Sequence, residues 1–547
     1  MSDKKNVCVI QFTRVGDILQ TYQSLLNVDR GNINFILVAR KRFAQPIEQL
    51  LKNVFGQIIY FDTEEIFEGF DLKNTQDRLA SFVNQINDCK LDLLVNLSFS
   101  PSSGYLASMI QSQIKFGLSY DSRNQTIVPD KWSQYIYSNV LTGSYNSFSL
   151  VDLFAMMIGN NGKRIAESST ATKENAIVIH PFASTQKKKW KTLRWAELIH
   201  YLFENDKQIQ VYLVGAPDEQ KASEDIVNTP LLFKYRNRIV NKCGKTSISE
   251  VNDIVAKSKL FIGHDSMIGH LAAINNVRAL TISLGTVRPE ETSPYNVRNL
   301  VFVPQTKCFP CKVEQACESF ECHADINFKI VGKFAVEILQ DENVEYESVV
   351  DKLPKNLFYS SCCVYESFLT EQNLYRLKEV TQSSTTVKSV LKDVSRITWL
   401  YFHEELEEKN GLPFIDIQTK QEVKKYLNGI SHLYELSEFG KKYAKYILEE
   451  LTQESPSTEK LRKYSEQIDE VDSLQRSLKK PFPELSPILD YFAVMRANTA
   501  GESLVEITTN TFFLYNDASL ICSIFYELLE KVMNQNERTE NKPVDRN

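Results

Sequence analysis

The sequence predicts an α/β protein with two Rossmann-like, doubly wound domains in tandem and a mostly helical domain after them. Two short apolar segments, Val7–Phe12 and Ala176–Phe182, each lead into a polar turn and then a helical pattern, as the first strand of such a domain does. Fifteen of the 19 glycines lie before residue 348, so the C-terminal part has few of the turns that α/β folds need.

The first domain is predicted over residues 1–160. Further apolar segments separated by helical patterns indicate more buried strands, at 34–38, 57–61 and 91–97. Gly16 permits a tight turn after the first strand, and Asp17 then stands at the start of a helix at the mouth of the sheet. A carboxylate at this place could serve as a general base, but aspartate also commonly caps helices. The residues alone leave both interpretations of Asp17 open.

The second domain is predicted over residues 176–340. Charged and small residues at 161–175 indicate a linker before it. Apolar segments again predict a row of strands after Ala176–Phe182, at 211–214, 260–262 and 279–283.

Residues 341–547 are predicted to be mostly helical. Apolar residues there recur at helical spacing, as in Val387, Val390, Leu391, Val394, Ile397 and Tyr401. The pattern is compatible with a domain for partner binding or oligomerisation, and equally with a helical cap on the second Rossmann-like domain.

Composition narrows the class of protein. A chain of 547 residues should hold about three domains. The net charge of −6 argues against nucleic-acid binding. No apolar run approaches the roughly 18 residues that span a bilayer, and the apolar core at Val7–Ile10 is too short for a signal peptide. We therefore expect a cytoplasmic protein, whose ten cysteines are thiols or metal ligands.

A phosphate site is predicted between Phe261 and Pro294. Asp265 and Ser266 occupy an N-cap position between a buried strand and a helix, so the first N–H groups of that helix point outward. His270, on the first turn of this helix, adds a third polar group. Such N-caps are often only structural.

A basic loop follows the first strand of the second domain. Ser184 and Thr185 carry hydroxyl donors, and Lys187–Lys189 supply positive charge beside a helix start. Cations here would neutralise a diphosphate leaving group. Three consecutive lysines are also typical of a solvated loop.

A metal site is predicted at the pattern C-x2-C-x5-C-x4-C, which four soft ligands form at Cys308, Cys311, Cys317 and Cys322. Four thiolates suit a tetrahedral zinc or iron ion. A closed four-sulfur site leaves no open coordination position, so its role should be structural.

The segment Asp265–Ala273, with Gly285 and Thr286 in the later turn, resembles the donor-site motif of glycosyltransferase family 9. This family, the ADP-heptose:lipopolysaccharide heptosyltransferases, has the pattern D-[ST]-G-x-x-H-L-x-A followed by a G-P-T-type turn; Met267 stands where the family has glycine. The resemblance covers roughly residues 5–340. It implies the GT-B fold, with the active site in a cleft between two Rossmann-like domains.

The resemblance also implies residue roles. The aspartate of the family's Gly-Asp motif matches Asp17 and is the proposed base that deprotonates the acceptor hydroxyl. The family pattern lysine, any residue, tryptophan selects Lys188 before Trp190. Glu219 matches a position that holds ribose hydroxyls, and Thr246 one whose backbone meets the adenine. The donor set is then Ser184, Thr185, Lys188, Glu219, Thr246, Asp265, Ser266, Met267 and His270.

The implied activity is an inverting transfer without a catalytic metal or other cofactor. By resemblance the donor is ADP-heptose, and the acceptor is open between a lipopolysaccharide core sugar and a protein side chain. Autotransporter heptosyltransferases of this family use a similar cysteine cluster as an iron-binding finger. The basic triplet Arg40–Arg42 would suit an anionic lipid acceptor and peripheral membrane association, or is simply a solvated helix face.

Two rival functions remain open at this stage. One is a sugar-nucleotide epimerase on the same architecture, which needs further acid and base groups in the cleft. The other is a family-derived binding or assembly protein without turnover, which Met267 and the long tail suggest.

Overall fold

The computed structural model describes residues 4–28, 31–141, 146–160, 162, 164–165, 172–312, 316–354, 357, 362–381, 386–404, 406 and 417–534. The chain forms two compact units. The first, the sheet unit, comprises residues 1–98, 109–115 and 148–383. The second, the helical unit, comprises residues 99–108, 116–147 and 384–547.

The strands fall into three sheets. They are β1 Lys5–Gln11, β2 Ile33–Arg40, β3 Gln57–Phe61, β4 Leu91–Asn96, β5 Ser112–Gly117, β6 Ser119–Tyr120, β7 Thr126–Ile127, β8 Glu174–His180, β9 Gln210–Leu213, β10 Ile239–Asn241, β11 Ser258–His264, β12 Arg278–Ile282, β13 Leu300–Pro304, β14 Cys362–Leu369 and β15 Tyr375–Glu379.

The helices lie between these strands and in the C-terminal part. They are α1 Val15–Ser24, α2 Lys41–Ala44, α3 Glu48–Leu51, α4 Thr63–Ile66, α5 Leu72–Asn87, α6 Pro101–Met109, α7 Lys131–Tyr135, α8 Leu150–Ile158, α9 Thr192–Asn205, α10 Gln220–Val227, α11 Ile248–Lys257, α12 Met267–Ile274, α13 Pro289–Thr292, α14 Cys322–Asp325, α15 Phe328–Gln340, α16 Tyr346–Asp351, α17 Val387–Phe402, α18 Ile417–Leu451, α19 Thr458–Ser477, α20 Ser486–Ala497 and α21 Leu504–Asn534.

The first sheet of the sheet unit has the order β3-β2-β1-β4-β5. Strands β1 to β4 run parallel, and β1 pairs with β2 from Lys5↔Ile33 to Gln11↔Ala39. The central residues Cys8, Val9 and Ile10 are fully buried, because helices cover both faces of a parallel sheet. The carboxyl ends of β1 and β4 therefore meet at one edge.

The second sheet has the order β10-β9-β8-β11-β12-β13-β14-β15, with β8 to β13 parallel. Its apolar core is continuous, and it includes Trp190 and Trp195. The eight apolar segments of the sequence correspond to strands β1 to β4, β8, β9, β11 and β12. The predicted fold class, two Rossmann-like doubly wound domains followed by a mostly helical region, is confirmed.

The start of the helical region differs from the expected residue 341. Strand β14 pairs antiparallel with β13, and β15 pairs antiparallel with β14, so the second sheet continues to Glu379. The turn between β14 and β15 places Asn373 at φ 58°, a left-handed conformation in which asparagine replaces glycine. The scarcity of glycine after residue 348 therefore did not exclude further strands.

The first predicted domain, residues 1–160, is also divided differently in the structure. Residues 99–108 and 116–147 belong to the helical unit. Trp132 stacks on His403, Tyr135 packs edge-on against Trp399, and Tyr491 donates to Gln134 Oε1 (3.0 Å). These partners are separated by more than 250 residues in sequence, so no local pattern could indicate the contact. Residues 161, 163 and 166–171 of the expected linker, 161–175, lie outside the described residues, and its last two residues already belong to β8.

A buried ionic network joins helix α8 to the second sheet within the sheet unit. Arg164 donates to Asp152 Oδ1 (2.8 Å), and both side chains are about 1% exposed. Tyr295 Oη donates to the same oxygen (2.6 Å), and the backbone N–H of Tyr375 donates to Asp152 Oδ2 (2.9 Å). Asp152 lies on α8, Tyr295 precedes β13, and Tyr375 begins β15. The network therefore fixes helix α8 against the second sheet.

Helices α17 to α21 make up most of the helical unit. Helix α21 packs along α18, where Gly440 lies so close to the Tyr515 ring that a Cβ would come within 2.3 Å of it. Within the described residues α21 is the helix that is long and apolar enough to cross a bilayer, although half of its apolar window is buried inside the protein. A core helix of a bundle shows the same combination.

Candidate active site

The turn from β1 into α1 places Asp17 at the carboxyl edge of the first sheet. Ser98, after β4, fixes this turn because its Oγ accepts from the backbone N–H of Phe12 (2.6 Å). Asp17 is half-buried, and its Oδ2 accepts from the backbone N–H of Arg14 (3.1 Å). The carboxylate thus caps the helix through one oxygen. Within the described residues Oδ1 accepts no hydrogen bond, so that oxygen can take a proton.

The N-terminus of α12 presents unpaired polar groups. Ser266 is the N-cap residue, yet its side chain does not cap the helix, and its buried Oγ has no hydrogen-bond partner among the described residues. The same is true of Nδ1 of His270, a residue that is 5% exposed. Asp265 is held by Thr292, whose Oγ1 donates to Oδ2 (2.9 Å). The helix start therefore keeps free donors for an anion.

The two helix starts lie against each other. A Cβ added at Gly16 would be 3.5 Å from Cδ2 of His270, an ordinary van der Waals distance, so the two helix starts are packed together. Burial lowers the pKa of His270, while the nearby carboxylates of Asp265 and Asp17 oppose that effect. His270 is therefore neutral at physiological pH. Asp17 and the N-terminus of α12 are therefore neighbours.

Met267 is half-buried and packs beside the apolar cluster that includes Phe261. Its backbone N–H remains the first of helix α12. The side chain that replaces the expected glycine therefore turns partly into the protein core, so the start of the helix keeps its backbone donors.

The loop that carries Ser184, Thr185 and Lys187–Lys189, called the lysine loop below, is held in place by close backbone contacts. Gly285, at φ 64°, lies so near the loop that a Cβ would come within 2.7 Å of the Lys187 carbonyl oxygen. His323 Nε2 is 3.0 Å from that same oxygen. Trp190 donates its backbone N–H to His264 Nε2 (3.0 Å) and its indole N–H to the His323 carbonyl (3.1 Å). The loop is thus a fixed part of the edge of the second sheet.

His264 acts as a neutral acceptor in this anchor. Burial lowers its pKa to about 3, although a hydrogen bond with the Ile282 carbonyl opposes the effect. Because Nε2 accepts from Trp190, the proton resides on Nδ1, which donates to Ile282 O (3.2 Å).

Lys188 is the cation that this loop offers. It is half-buried, ends a 3₁₀ turn at Gln186–Lys188, and makes no ion pair within the described residues. Lys189 lies over the Phe182 ring (5.9 Å), and the hydroxyl-bearing Ser184 and Thr185 are exposed. The structure therefore leaves a positive charge and two hydroxyls available in one short loop.

Glu219 lies at the carboxyl ends of β8 and β9. Its Oε2 accepts from the backbone N–H of Ala216 (2.8 Å) and stands 3.6 Å from His180 Nε2. Burial opposes ionisation, but His180 and the Ala216 N–H together hold the pKa of Glu219 below its usual value. Oε1 has no hydrogen bond among the described residues, so the carboxylate can accept from a ligand hydroxyl.

Thr246 lies in the neighbouring loop. Gly244, at φ 69°, approaches Pro217 closely enough that a Cβ would be 3.0 Å from its Cα. This contact joins the Thr246 loop to the 3₁₀ turn of Glu219. The predicted donor residues of the second domain therefore follow strands β8 to β11 along one sheet edge.

The cysteine loop, residues 308–322, carries the four thiols of the predicted metal site. Burial raises the pKa of Cys322 to about 11, and the neighbouring thiols of Cys311, Cys308 and Cys317 add to the effect. Among the residues that the structure describes, which omit 313–315 of this loop, no three side chains are arranged to hold a metal ion. Cys311 donates its backbone N–H to Gly285 O (2.8 Å), so the loop supports the Gly-Thr turn.

The basic triplet Arg40–Arg42 is largely engaged within the protein. Lys41 pairs with Asp62 (2.8 Å), and Arg42 lies over the Phe43 ring (4.4 Å). Arg40 is half-buried, and its guanidinium is 5.8 Å from the Phe12 ring centroid. Arg40–Arg42 therefore resemble an ordinary helix surface more than a free anion-binding patch.

Sequence reasoning missed the histidines that organise this edge. His180 supports Glu219, and His264 anchors the lysine loop. Each is the last residue of a buried strand, and this position at the carboxyl edge of a parallel sheet was the signal that could have identified them.

Comparison with known proteins gives a family for part of the chain. The family described as Glycosyltransferase family 9 (heptosyltransferase) matches residues 79–320. Lipooligosaccharide heptosyltransferase 2 of Campylobacter jejuni is 24% identical over 192 residues, which are 34% of this chain and 55% of that protein. The Haemophilus ducreyi protein of the same name is 24% identical over 158 residues, 28% of this chain and 44% of that protein. The chain thus spans about half the length of these curated relatives.

Solved structures with a similar fold include members of the same group. E. coli heptosyltransferase WaaC with ADP has 17% identity and a TM-score of 0.41, and covers 53% of this chain and 91% of its own. A glycosyl transferase family 9 protein from Veillonella parvula has 16% identity and a TM-score of 0.47, and the match covers 62% of this chain and 98% of that protein. The dodecameric iron-containing heptosyltransferase TibC with ADP-D-beta-D-heptose has 13% identity and a TM-score of 0.36, and the match covers 62% of this chain and 79% of that protein. All three TM-scores are below 0.5, so the fold assignment depends on the sheet topology of this chain.

Proposed function

We propose that this chain, whose residues 79–320 match the family model of glycosyltransferase family 9, transfers a sugar from a nucleotide diphosphate to an acceptor hydroxyl with inversion at the anomeric carbon. The donor that fits the family is ADP-heptose. The observation that carries the proposal is the contact of the Asp17 turn with the start of α12, where Ser266 Oγ and His270 Nδ1 lack partners among the described residues.

Asp17 is the general base of the proposed reaction. Its Oδ1 takes the proton of the acceptor hydroxyl while the hydroxyl oxygen bonds to the anomeric carbon and the bond from that carbon to the phosphate oxygen breaks. The cap made by Oδ2 with the Arg14 N–H (3.1 Å) holds the carboxylate in one orientation. A pre-oriented base loses little freedom at the transition state.

The departing nucleotide diphosphate carries the developing negative charge. The N–H groups of α12, Ser266 Oγ and the Lys188 ammonium stabilise it, with Ser184 and Thr185 as hydroxyl donors. Charge on the donor is thereby neutralised by protein groups, so the reaction needs no catalytic metal ion. Glu219 would accept from the ribose hydroxyls, and the Thr246 backbone would meet the adenine.

The acceptor is an alcohol on a lipopolysaccharide core sugar or on a protein. The curated relatives are named lipooligosaccharide heptosyltransferases, which favours the glycan. The cytoplasm, where nucleotide sugars are made, is the proposed site of the reaction. Cys308, Cys311, Cys317 and Cys322 are the residues that would hold a structural zinc or iron ion, since their four thiols are soft ligands on one short loop.

A product assay tests the function. The purified chain is incubated with ADP-heptose and a lipopolysaccharide core oligosaccharide, with UDP- and GDP-sugars as matched donors. We expect ADP release and a heptosylated product whose anomeric configuration by NMR is opposite to that of the donor. Binding of ADP-heptose without any release of ADP would favour a protein that has lost turnover. Conversion of the sugar within the nucleotide would favour an epimerase.

A further inference from the structure

A cavity between three helices of the helical unit has no part in the chemistry above. It has a volume of about 180 Å³ and lies between α19, α20 and α21. An engineered cavity of about 150 Å³ in another protein binds benzene, so this space can hold a molecule with one ring. We call it the three-helix cavity; its lining includes Asp472, Arg476, Phe492, Arg496, Ala497 and Leu514.

One cation of the three-helix cavity is fixed by a carboxylate. Arg496 Nε donates to Asp472 Oδ2 (3.2 Å), and Nη1 donates to Thr511 Oγ1 (3.3 Å). The Tyr515 hydroxyl donates to the other oxygen of Asp472, so both carboxylate oxygens are used within the protein. Within the described residues Nη2 of Arg496 donates to no acceptor. That edge of an oriented guanidinium is therefore available to a ligand.

The second cation of the cavity has no partner of its own. Arg476 is exposed, and among the residues that the structure describes its guanidinium makes neither an ion pair nor a hydrogen bond. It lies one turn after Asp472 on α19, so the two side chains are on the same face of that helix. Arg476, Arg496 and Asp472 are the charged residues of the lining, which leaves one positive charge in excess.

The remaining wall of the cavity is largely apolar. Phe492 is 5% exposed, and Leu514 is half-buried. Ala493 and Ala497 line the same space, and their short side chains leave it open. Apolar side chains beside two guanidinium groups favour a ligand that has both an apolar body and a negative charge, because burial of the body removes apolar surface from water.

We propose that the three-helix cavity binds a small organic monoanion, which is a carboxylate on an apolar body of about one ring. A planar carboxylate matches the planar fork of a guanidinium, and such charge-assisted hydrogen bonds are stronger than neutral ones. One negative charge neutralises the excess charge of the lining, whereas a phosphate ester would add a second negative charge beside Asp472. None of the proposed donor residues lines this cavity, so the site goes beyond the proposed function.

Equilibrium binding of model compounds to the full chain tests the proposal. The probe is para-fluorobenzoate, followed by fluorine NMR, and the neutral para-fluorobenzamide is the matched ligand. Wild type should bind the benzoate saturably, and the benzamide at least about tenfold more weakly, because only the anion makes charge-assisted hydrogen bonds. The dianion para-fluorophenyl phosphate should also bind more weakly than the benzoate.

Three variants locate the binding. Arg476→Gln should weaken benzoate binding by about tenfold, and it removes an exposed side chain that makes no contact needed for folding. Arg462→Gln removes another exposed arginine of α19 and should leave the affinity unchanged. Ala497→Phe fills the cavity while both arginines remain, so it should abolish binding. Urea unfolding checks that each variant is folded, and Ala493→Phe replaces Ala497→Phe if that variant is not.

Several outcomes would overturn the proposal. With no saturable binding by wild type, or with equal affinity for benzoate and benzamide, the two arginines would act only as cations in the last turns of their helices. Equal losses in Arg476→Gln and Arg462→Gln would indicate attraction to surface charge in general. Tighter binding of the phosphate than of the benzoate would contradict the monoanion. The measurement involves no turnover, so each outcome is independent of whether the chain transfers a sugar.

Discussion

Single side chains set the charge balance of the active site. Lys188 is the half-buried cation of a loop that backbone contacts hold in place, and Asp17 keeps one carboxylate oxygen free while the other caps α1. Both residues stand where a strand of a doubly wound sheet ends. That position is visible in the sequence as an apolar segment followed by Gly-Asp or by Ser-Thr and lysines.

We predict that Lys188→Ala weakens binding of ADP but not of adenosine. A charge-assisted contact with phosphate is worth about 1.5–3 kcal/mol, so the dissociation constant for ADP should rise roughly 10- to 150-fold. Lys191→Ala, in the same loop but exposed, is the matched control and should have little effect. Calorimetry with both ligands checks this, and equal losses for ADP and adenosine would remove Lys188 from the phosphate site.

His403 gives the helical unit a dependence on acid. It is 7% exposed and stacks on Trp132, with centroids 4.3 Å apart, and neither ring nitrogen has a hydrogen-bond partner among the described residues. Burial lowers its pKa to about 3, and the Lys131 ammonium adds to the effect. The folded-state pKa lies below the unfolded value, so its contribution to stability is present above about pH 6.5 and is lost as the pH falls.

We predict that His403→Phe removes this part of the pH dependence. The cost of keeping the neutral imidazole buried should reach about 2 kcal/mol at pH 5. The free energy of unfolding of wild type should therefore fall by about that much more than that of the variant between pH 7.5 and pH 5. Urea unfolding followed by tryptophan fluorescence measures both. Parallel pH profiles would show that His403 is already charged in the folded chain.

At the level of strands, helices and loops, the apolar segments of the sequence located both parallel sheets. They did not locate β5, β10 and β13, and β14 and β15 lie in the region predicted to be helical, where Asn373 makes the turn at φ 58° without a glycine. The fit of Gly285 against Lys187 was also out of reach, since it joins loops about 100 residues apart. Local sequence patterns thus predicted the polar residues of each loop, whereas tertiary packing determines which loops contact each other.

The cysteine loop is the element whose chemistry remains a prediction. If Cys308, Cys311, Cys317 and Cys322 bind one ion, purified protein should contain about one equivalent of zinc or iron by elemental analysis. Replacing any one of the four by serine should release it, because each thiolate contributes to the affinity. Cys89→Ser, a half-buried cysteine elsewhere in the sheet unit, should retain the metal. Metal-free wild type would contradict the site.

At the scale of the whole molecule, the sheet unit is held together by charge as well as by apolar packing. Burial raises the pKa of Asp152, and Arg164 and the Tyr295 hydroxyl act against that effect. Arg164, the Tyr295 hydroxyl and the Tyr375 N–H together donate three hydrogen bonds to this one carboxylate. The sequence did not predict this network, because its members come from α8, the segment after it, the loop before β13 and the first residue of β15.

We predict that Asp152→Asn destabilises the sheet unit by about 3–5 kcal/mol, because Arg164 would then be buried without a counter-charge. Glu48→Gln, which breaks the exposed pair with Lys52 (2.6 Å), is the control and should cost less than about 1 kcal/mol. Urea unfolding of both variants provides the comparison. A similarly small loss of stability in both variants would mean that water reaches the Asp152–Arg164 network.

The most direct test of the central claim, a glycosyl transfer with Asp17 as its base, compares wild type and Asp17→Asn in the rate of ADP formation from ADP-heptose and the core oligosaccharide. Asparagine can still cap α1 but cannot take a proton, so ADP binding should be unchanged while the rate falls by about 10²- to 10⁴-fold. A variant that keeps more than about a tenth of the wild-type rate would contradict the assignment.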